Sequence, residues 1–263
     1  MRSHLVIILT GLLTVVACGD DGGGSAPSDP TSPVAPLAPP DSSVPAVIDP
    51  GDGGDYRPDV DPARFVDAID NPYLPLSIGS RWVYEGMSGG ELERVEVVVT
   101  DQRRKVMGIT ATVVRDTVHI GGVLVEDTFD WYAQDVDGNV WYLGEAVENY
   151  EDGVLADRDG SWEAGVEGAL PGIVMPAEPT VGVAYRQEFW PGEAEDLGEI
   201  LATDGQVAVT AGDFDAVVTT RDWNPLDPAA VEEKDYAPTV GLIRERHVAG
   251  GDGVAELVEF TPG

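Results

Sequence analysis

The sequence predicts a mainly β protein: a single antiparallel sheet, strongly curved or closed into a half-barrel, behind a disordered N-terminal tether. Three observations predict it. Short stretches that alternate with period two, or are dense in Val and Thr, recur from residue 81 to residue 260. Dipeptides suited to tight turns separate them, and helix signals are feeble. Many short strands with close turns can bury their apolar faces only by curling one sheet on itself or closing it.

Taken in order, the chain begins with a weakly positive start and an apolar run, Leu5 to Ala17, too short to span a bilayer. The run ends in Val15-Val16-Ala17-Cys18, the pattern of a lipoprotein signal: residues 1–17 are the signal peptide and Cys18 is the acylated first residue. Cys18 is the only cysteine of the 263 residues. The alternative, an ordinary secretory signal cut after Ala17, leaves a thiol with no second cysteine to pair with. Several acyl chains on one residue anchor stably where a single chain binds marginally. The membrane is therefore the first expected partner, through the acyl chains (palmitate-type) on Cys18, and the expected location is extracytoplasmic, at the cell membrane or the outer membrane.

Residues 18–63 are rich in Pro, Gly, Asp and Ser and poor in large apolar side chains. Such a stretch cannot offset its ordering entropy by burial and reads as a disordered, semi-stiff tether. A ligand for a proline-recognition module is the lesser reading. The globular domain is then 64–263, long enough for one substantial core. Its strands begin at Arg81–Glu85 and continue through "ELERVEVVVT", which sets Leu92, Arg94, Glu96 and Val98 on one side and Val95, Val97 and Val99 on the other. Next come "GITATVVRDTVHI" and, after a Gly121-Gly122 turn, "VLVEDTFDWYAQ". Further strands are expected at Tyr185–Trp190, Gln206–Thr210, Ala216–Thr220, Gly241–His247 and Ala255–Phe260, with turns at Asp137-Gly138 and Asp204-Gly205. A helical turn or two is expected at Arg64–Ile69, and another over Glu193–Leu201, interrupted by Gly198.

Four segments, "NPYLPLSIGSRWVYEG" (71–86), "EDTFDWYAQDVDGNVWYLGE" (126–145), "GSWEAGVEGALPGIVMPAEPTVGVAYRQEFWPGEAED" (160–196) and "YAPTVGLIRER" (236–246), resemble a family of exported bacterial lipoproteins. The opening segment also resembles β-rich secreted proteins of a half-barrel kind related to lipoprotein carriers. The resemblance implies export, a lipid anchor and the β fold, and it transfers no catalytic residue.

The formal net charge is −33, and loss of residues 1–17 removes Arg2 and no acid, giving −34. That field excludes nucleic acid as a partner and repels an anionic membrane surface. It suits cationic partners, divalent cations or plain solubility. Nucleophilic catalysis is poorly supplied: after Cys18 there is no cysteine, no Gly-x-Ser-x-Gly elbow, and only His119 and His247 as histidines. Two histidines do not make a zinc site without carboxylate help. No cofactor is expected, and calcium is the one metal considered. Asp135, Asp137 and Asn139 match the first three ligand positions of a calcium loop, but Val140 and Ala146 stand where glycine and glutamate are required. An Asp137-Gly138 hairpin turn, pairing Asp135 with Val140 and Ala133 with Tyr142, accounts for the stretch better. Glu193, Glu195 and Asp196 form a second weak calcium candidate. With Glu188 they are also the candidate acids of a carboxylate-based hydrolase, the alternative function.

The aromatic residues favour a different function. In the expected hairpin, Trp131 and Tyr142 share one face while Tyr132, Trp141 and Leu143 share the other. A sheet apolar on both sides needs cover on both sides. Residues 164–179, with "LPGIVMP", supply it by crossing over the sheet, or else an apolar ligand or envelope protein does. The leading expectation is a non-enzymatic binding or scaffolding protein of the envelope, with Trp131, Tyr132, Trp141 and Tyr142 as ligand-face candidates.

Overall fold

The computed structural model describes residues 56–251 and 253–263. The readings of residues 1–17, of Cys18 and of most of the tether lie outside these residues. A 3-10 turn (Pro62–Arg64) leads into β1 (Phe65–Val66), where the sequence suggested helix through Ile69. The long strands follow as β2 (Arg81–Ser88), β3 (Glu91–Val106), β4 (Ile109–Ile120), β5 (Val123–Asp135) and β6 (Val140–Glu151). Short ones come next: β7 (Val154–Asp157), β8 (Trp162–Glu163), β9 (Leu170–Met175), β10 (Ala184–Arg186) and β11 (Glu188–Phe189). A second long set completes the chain: β12 (Leu197–Val209), β13 (Gly212–Asn224), β14 (Asp227–Ala237), β15 (Gly241–Ala249) and β16 (Val254–Thr261).

All sixteen belong to one antiparallel, nearly closed, barrel-like sheet, in the order β10-β12-β13-β14-β15-β16-β2-β3-β4-β5-β6-β9-β11, with β1, β7 and β8 added at its margins. Two meanders are joined where β16 pairs with β2, so the last strand meets the first long one. The two ends of the sheet, β10 and β11, are consecutive in the chain with only Gln187 between them. The barrel therefore closes at a seam one residue wide. Gly172 of β9 is required there: a Cβ on it would lie 2.3 Å from the carbonyl carbon and oxygen of Gln187. Only a residue with no side chain lets the strand come that close.

Three local readings are corrected. The Glu193–Leu201 stretch is a turn and the start of β12, not helix, with Gly198 in the strand beneath the Tyr185 ring. Asp204-Gly205 lies within β12, at register irregularities against β13, and the turn is at Thr210-Ala211. "LPGIVMP" does not cross the sheet; it enters it as β9, between β6 and β11. The packed part also begins earlier than residue 64. The Tyr56 hydroxyl donates to the Pro171 carbonyl at 3.0 Å, and its ring meets Phe189 edge-on at 5.7 Å.

The core fills the barrel. Trp82, Tyr84, Val95, Val97, Val114, Tyr132, Tyr142, Ile200, Tyr236 and Leu257 belong to one buried cluster, with Ile69, Leu74 and Leu76 of the lead-in packed into it. Asn71 fixes that lead-in: its side-chain amide donates to the carbonyls of Gly138 and Pro176.

Candidate functional site

Alternation carries acids inward as well as valines. Along β3 the alternating buried positions include Glu93, Val95, Val97 and Val99, and along β4 Val114, Asp116, Val118 and Ile120. Cross-strand register extends the pattern: Val118 faces Glu126, Asp116 faces Thr128, and Val114 faces Asp130, which in turn faces Glu145 of β6. On the other meander Asp222 pairs with Glu232, and Thr220 pairs with Lys234, which pairs with Glu245. Glu188 and Asp196 bring acids to the seam, at 2% and 6% exposure.

Lys234 is the ammonium among them. Its Nζ lies 3.2 Å from Asp222, 3.6 Å from Glu245 and 3.7 Å from Glu232. Burial alone would lower its pKa; Asp222, Glu245 and Glu232 outweigh burial and hold it well above the ordinary lysine value. One cation cannot neutralise so many acids, and the carboxyls respond by keeping protons. Burial first, then the neighbouring carboxylates, raises Glu93 to about 8 and holds Asp116, Glu145 and Glu245 well above the ordinary range. Glu126 and Asp130 rise to about 7, again mainly by burial, although Thr128 and Tyr142 donate hydrogen bonds to them. Both oxygens of Glu93, Asp116 and Glu245 lack a hydrogen-bond partner. Glu93 and Asp116 have no cation beside them, while Glu245 has Lys234 at 3.6 Å. No group of three or more acids, histidines or cysteines among the described residues is placed to hold a metal ion.

Beside Lys234 the interior reaches a cavity of about 20 Å³, lined by Gln187, Asp196, Asp222, Trp223, Asn224, Ala230, Glu232 and Lys234. This is room for about one water molecule.

The residues singled out in the sequence fall in three places. Asp135, Asp137 and Asn139 form a loop that consumes its own oxygens. The Asp135 carboxylate accepts from the backbone N–H of Asp137 and Asn139, from the Asn139 amide and from Trp141 Nε1, all at 2.8–3.0 Å. Burial would raise this carboxyl; the hydrogen bonds prevail and lower it. Asp137 pairs with Arg64, and Asn139 Oδ1 accepts from the Ala177 N–H. The loop between β5 and β6 spans residues 136–139 rather than a two-residue turn, because the Asp135 carboxylate gathers the backbone around itself.

The aromatic faces are exchanged. Tyr132 pairs with Tyr142 and their rings stack at 5.0 Å inside the barrel, while Trp131 and Trp141 lie outside. The longer loop is the cause, since it shifts the register by one; a bulge where Trp131 faces both Leu143 and Gly144 restores the count beyond the aromatic pairs. All four rings are buried, from 0% to 9% exposed. Trp141 is covered by Phe65, and Arg104 lies 3.8 Å over Trp131. The chain itself supplies the cover that an outer ligand was expected to provide.

The acidic quartet is split. Glu188 and Asp196 point into the seam, whereas Glu193 is exposed on the turn and Glu195 caps the Gly192 N–H. What sequence reasoning missed is the inner row Glu93, Asp116, Glu126, Asp130, Glu145, Asp222, Glu232, Lys234 and Glu245. The signal was present, since Glu93 and Asp116 stand in phase with buried valines.

A second concavity lies on the rim formed by the β2–β3, β4–β5, β6–β7 and β15–β16 turns. It holds about 500 Å³ and is lined by Met87, Gly89, Gly90, Gly253 and Val254. Met87 is 55% exposed and Val254 43%, and Leu92, Val123 and Val154 continue the apolar rim at 51%, 51% and 68%.

No family model matches the chain, and no curated protein does either. Two solved structures are similar. One is an exported protein with a YmcC-like fold from Bacteroides fragilis, 14% identical, covering 72% of this chain and 99% of its own, with a TM-score of 0.40. The other is described as a lipoprotein from Parabacteroides distasonis, 14% identical, covering 73% of this chain and 99% of its own, with a TM-score of 0.37. Likenesses of this size say nothing of activity, anchor or ligand.

Proposed function

We propose that this protein is a lipid-anchored, non-enzymatic binding or scaffolding module of the cell envelope, held through Cys18, whose rim engages an envelope protein. The observation that supports it is the rim concavity. It is a half-open groove, and exposed apolar side chains border it. The formal charge of −33 specifies the partner's chemistry: a cationic polypeptide with an apolar side chain to seat between Met87 and Val254. A photocrosslinking residue at position 87, in the lipidated protein in its own cells, should give one discrete adduct that 0.5 M salt added before irradiation abolishes. The same residue at position 213, an exposed site on the opposite rim, should give none. No adduct at 87, or equal adducts at both positions, refutes the reading. Cys18→Ser tests the anchor separately: it should move the protein from the detergent phase to the aqueous phase.

A carboxylate-based hydrolase is the second reading, and the buried pair Glu188 and Asp196 favours it. Acid–base work on a bond requires substrate beside the pair, and the adjoining cavity admits about one water. A chromogenic glycoside or ester turned over by the wild type and not by Glu188→Gln would establish it over the binding module.

A further inference from the structure

Four two-residue turns of the barrel follow one pattern, with one exception. Ser88 pairs with Glu91, Ile120 with Val123 and Glu151 with Val154, around Gly89-Gly90, Gly121-Gly122 and Asp152-Gly153. All six turn residues have positive φ, the conformation that Gly and Asp accept in a tight hairpin. The β3–β4 turn closes in the same way, with Val106 paired to Ile109, yet its first residue is Met107 at φ +50°. A left-handed backbone is strained for methionine, and such strain collects where a side chain has to be presented. Met107 is 41% exposed, and its Cγ lies against Gly165, whose neighbour Val166 is 50% exposed.

Basic residues gather at the same tip. Arg103, Arg104 and Lys105 are the only three consecutive basic residues in the chain, and all are exposed. Arg104 is held by Glu163 and lies over Trp131. Arg103 and Lys105 enter no ion pair among the described residues. Asp101 is exposed two residues before them, and Asp61 and Glu167 stand on the adjoining segments. Residues 101–108 still carry three positive charges against one negative, in a protein of formal charge −33. The segment leading from Cys18 passes this tip: a Cβ on Gly108 would lie 3.3 Å from Pro62.

We propose that the β3–β4 tip is a second membrane contact: Met107 enters the headgroup boundary of the bilayer that holds the acyl chains, and Arg103 and Lys105 bind its anionic phosphates.

The occupant follows from the anchor at Cys18, on which this reading rests, since acyl chains keep one bilayer within reach at all times. The acyl chains retain the protein, so the part left to the tip is orientation. Strands β2 to β6 run alternately up and down, which sets the β3–β4 tip and the Met87 rim at opposite ends of the barrel. With the tip on the bilayer, the rim faces away from it and is open to a partner. The acidic remainder of the protein opposes an anionic surface, and screening decides between the two. Near 0.15 M salt the Debye length is about 8 Å and the tip acts alone; near 0.01 M it is about 30 Å and the outer acids are felt as well. Each basic side chain close to an anionic surface strengthens binding about fivefold.

The lipidated protein, reconstituted into vesicles of equal phosphatidylglycerol and phosphatidylcholine with a trace of nitroxide-headgroup lipid, tests the contact. A thiol-linked fluorophore is placed at Thr110→Cys, beside the tip, or at Val123→Cys, on the opposite rim. At 0.15 M salt, quenching should be at least threefold stronger at 110 than at 123, and the difference should shrink at 0.01 M and at 1 M. Arg103→Gln/Lys105→Gln, and vesicles of phosphatidylcholine alone, should each bring 110 down to the level of 123. Met107→Asn supplies a residue the turn favours, so the melting temperature should hold or rise while quenching at 110 falls at least twofold. A lower melting temperature with quenching unchanged would make Met107 a packing residue of the Gly165 loop and overturn its insertion. Equal quenching at both positions, in protein that floats with the vesicles, overturns the tip and leaves the anchor standing. Stronger quenching at 110 that neither the double variant nor neutral lipid changes does the same. Protein that fails to float overturns the anchor, and the tip with it.

Discussion

Replacing Lys234 by Met tests whether the interior is held as a charge-balanced whole. Met keeps most of the volume of the buried stem and removes the ammonium, leaving Asp222, Glu245 and Glu232 without the cation now 3.2–3.7 Å away. Removing one partner of a buried ion pair costs about 3–5 kcal/mol, because the partner's charge stays behind in a poorly solvated site. That figure should apply at pH 8, where the orphaned groups must either stay charged or take a proton against the solution. At lower pH they have an escape. Glu232 rises to about 7 through burial even with Lys234 beside it, and without the lysine it rises further. The folded variant then carries at least one proton more than its unfolded chain across pH 5–8. Its stability should therefore fall as pH rises, by about 1.4 kcal/mol per pH unit for each such proton. Urea unfolding of both proteins at pH 5, 6.5 and 8 should show a deficit of about 3–5 kcal/mol at pH 8, smaller by 2 kcal/mol or more at pH 5. Adding Asp222→Asn should recover part of the deficit at pH 8. An equal deficit at both ends would mean that Lys234 acts by packing; a deficit under about 1 kcal/mol throughout would mean that its charge is not engaged. Either result refutes the reasoning.

Three further outcomes are expected. Trp141→Ala removes a ring packed on Phe65 and bonded to Asp135, and should cost about 3–5 kcal/mol in a denaturant melt; a loss under 1 kcal/mol would place the ring outside the core. Gly172→Ala forces a Cβ to 2.3 Å from the Gln187 backbone, with no flexible side chain to yield, and should cost about 3 kcal/mol or more, with the lost protection concentrated over residues 184–200. Asp137→Ala removes only a surface pair with Arg64 and should change stability by less than about 0.5 kcal/mol. Wild-type melting should be the same with calcium and with chelator; a calcium-raised melting temperature lost in Asp137→Ala would make the loop a metal site.

Much of the barrel was legible because alternation is a local property. The run from Glu91 to Thr100 shows its two faces without help, and Val95, Val97 and Val99 are buried as the period demands. What was not legible depends on events between strands. The Trp131–Tyr142 faces were assigned by counting back from a two-residue turn. A longer loop reverses that count, since a single-residue slip exchanges the faces, and the bulged residue at Leu143–Gly144 sets it right again only beyond the aromatic pairs. Asp204-Gly205 has turn chemistry, yet a strand absorbs it at an irregular register against β13. "LPGIVMP" carries two prolines and a glycine and reads as a crossover; Gly172 places it in the sheet because the seam needs a strand with no side chain at that point. The seam itself is invisible locally, since it brings β10, at one end of the order, beside β9 and β11 at the other.

The acids were misjudged for a different reason. A composition with 48 Asp and Glu against 15 Lys and Arg invites the view that every carboxylate is solvated surface. Many are, and the outer face pairs them with arginine: Arg115 with Asp127, Arg94 with Glu85, Arg81 with Glu96. Much of the inner row obeys the opposite rule, in which an acid is tolerated because burial keeps its proton on, while Asp222 is tolerated beside the Lys234 ammonium. Each inner carboxyl that keeps a proton makes the working charge less negative than the formal value, so the field presented to a cationic partner is set by the outer acids alone. The two populations also answer pH differently. Among the outer ones, the hydrogen bond from Arg81 holds Glu96 below the ordinary glutamate value. The inner ones ionise later, and Glu93 does so only near pH 8. Proton release in the neutral to alkaline range is therefore felt inside the barrel, at Glu232 beside Lys234 and at Glu93, Glu126 and Asp130 of the β3–β5 strands.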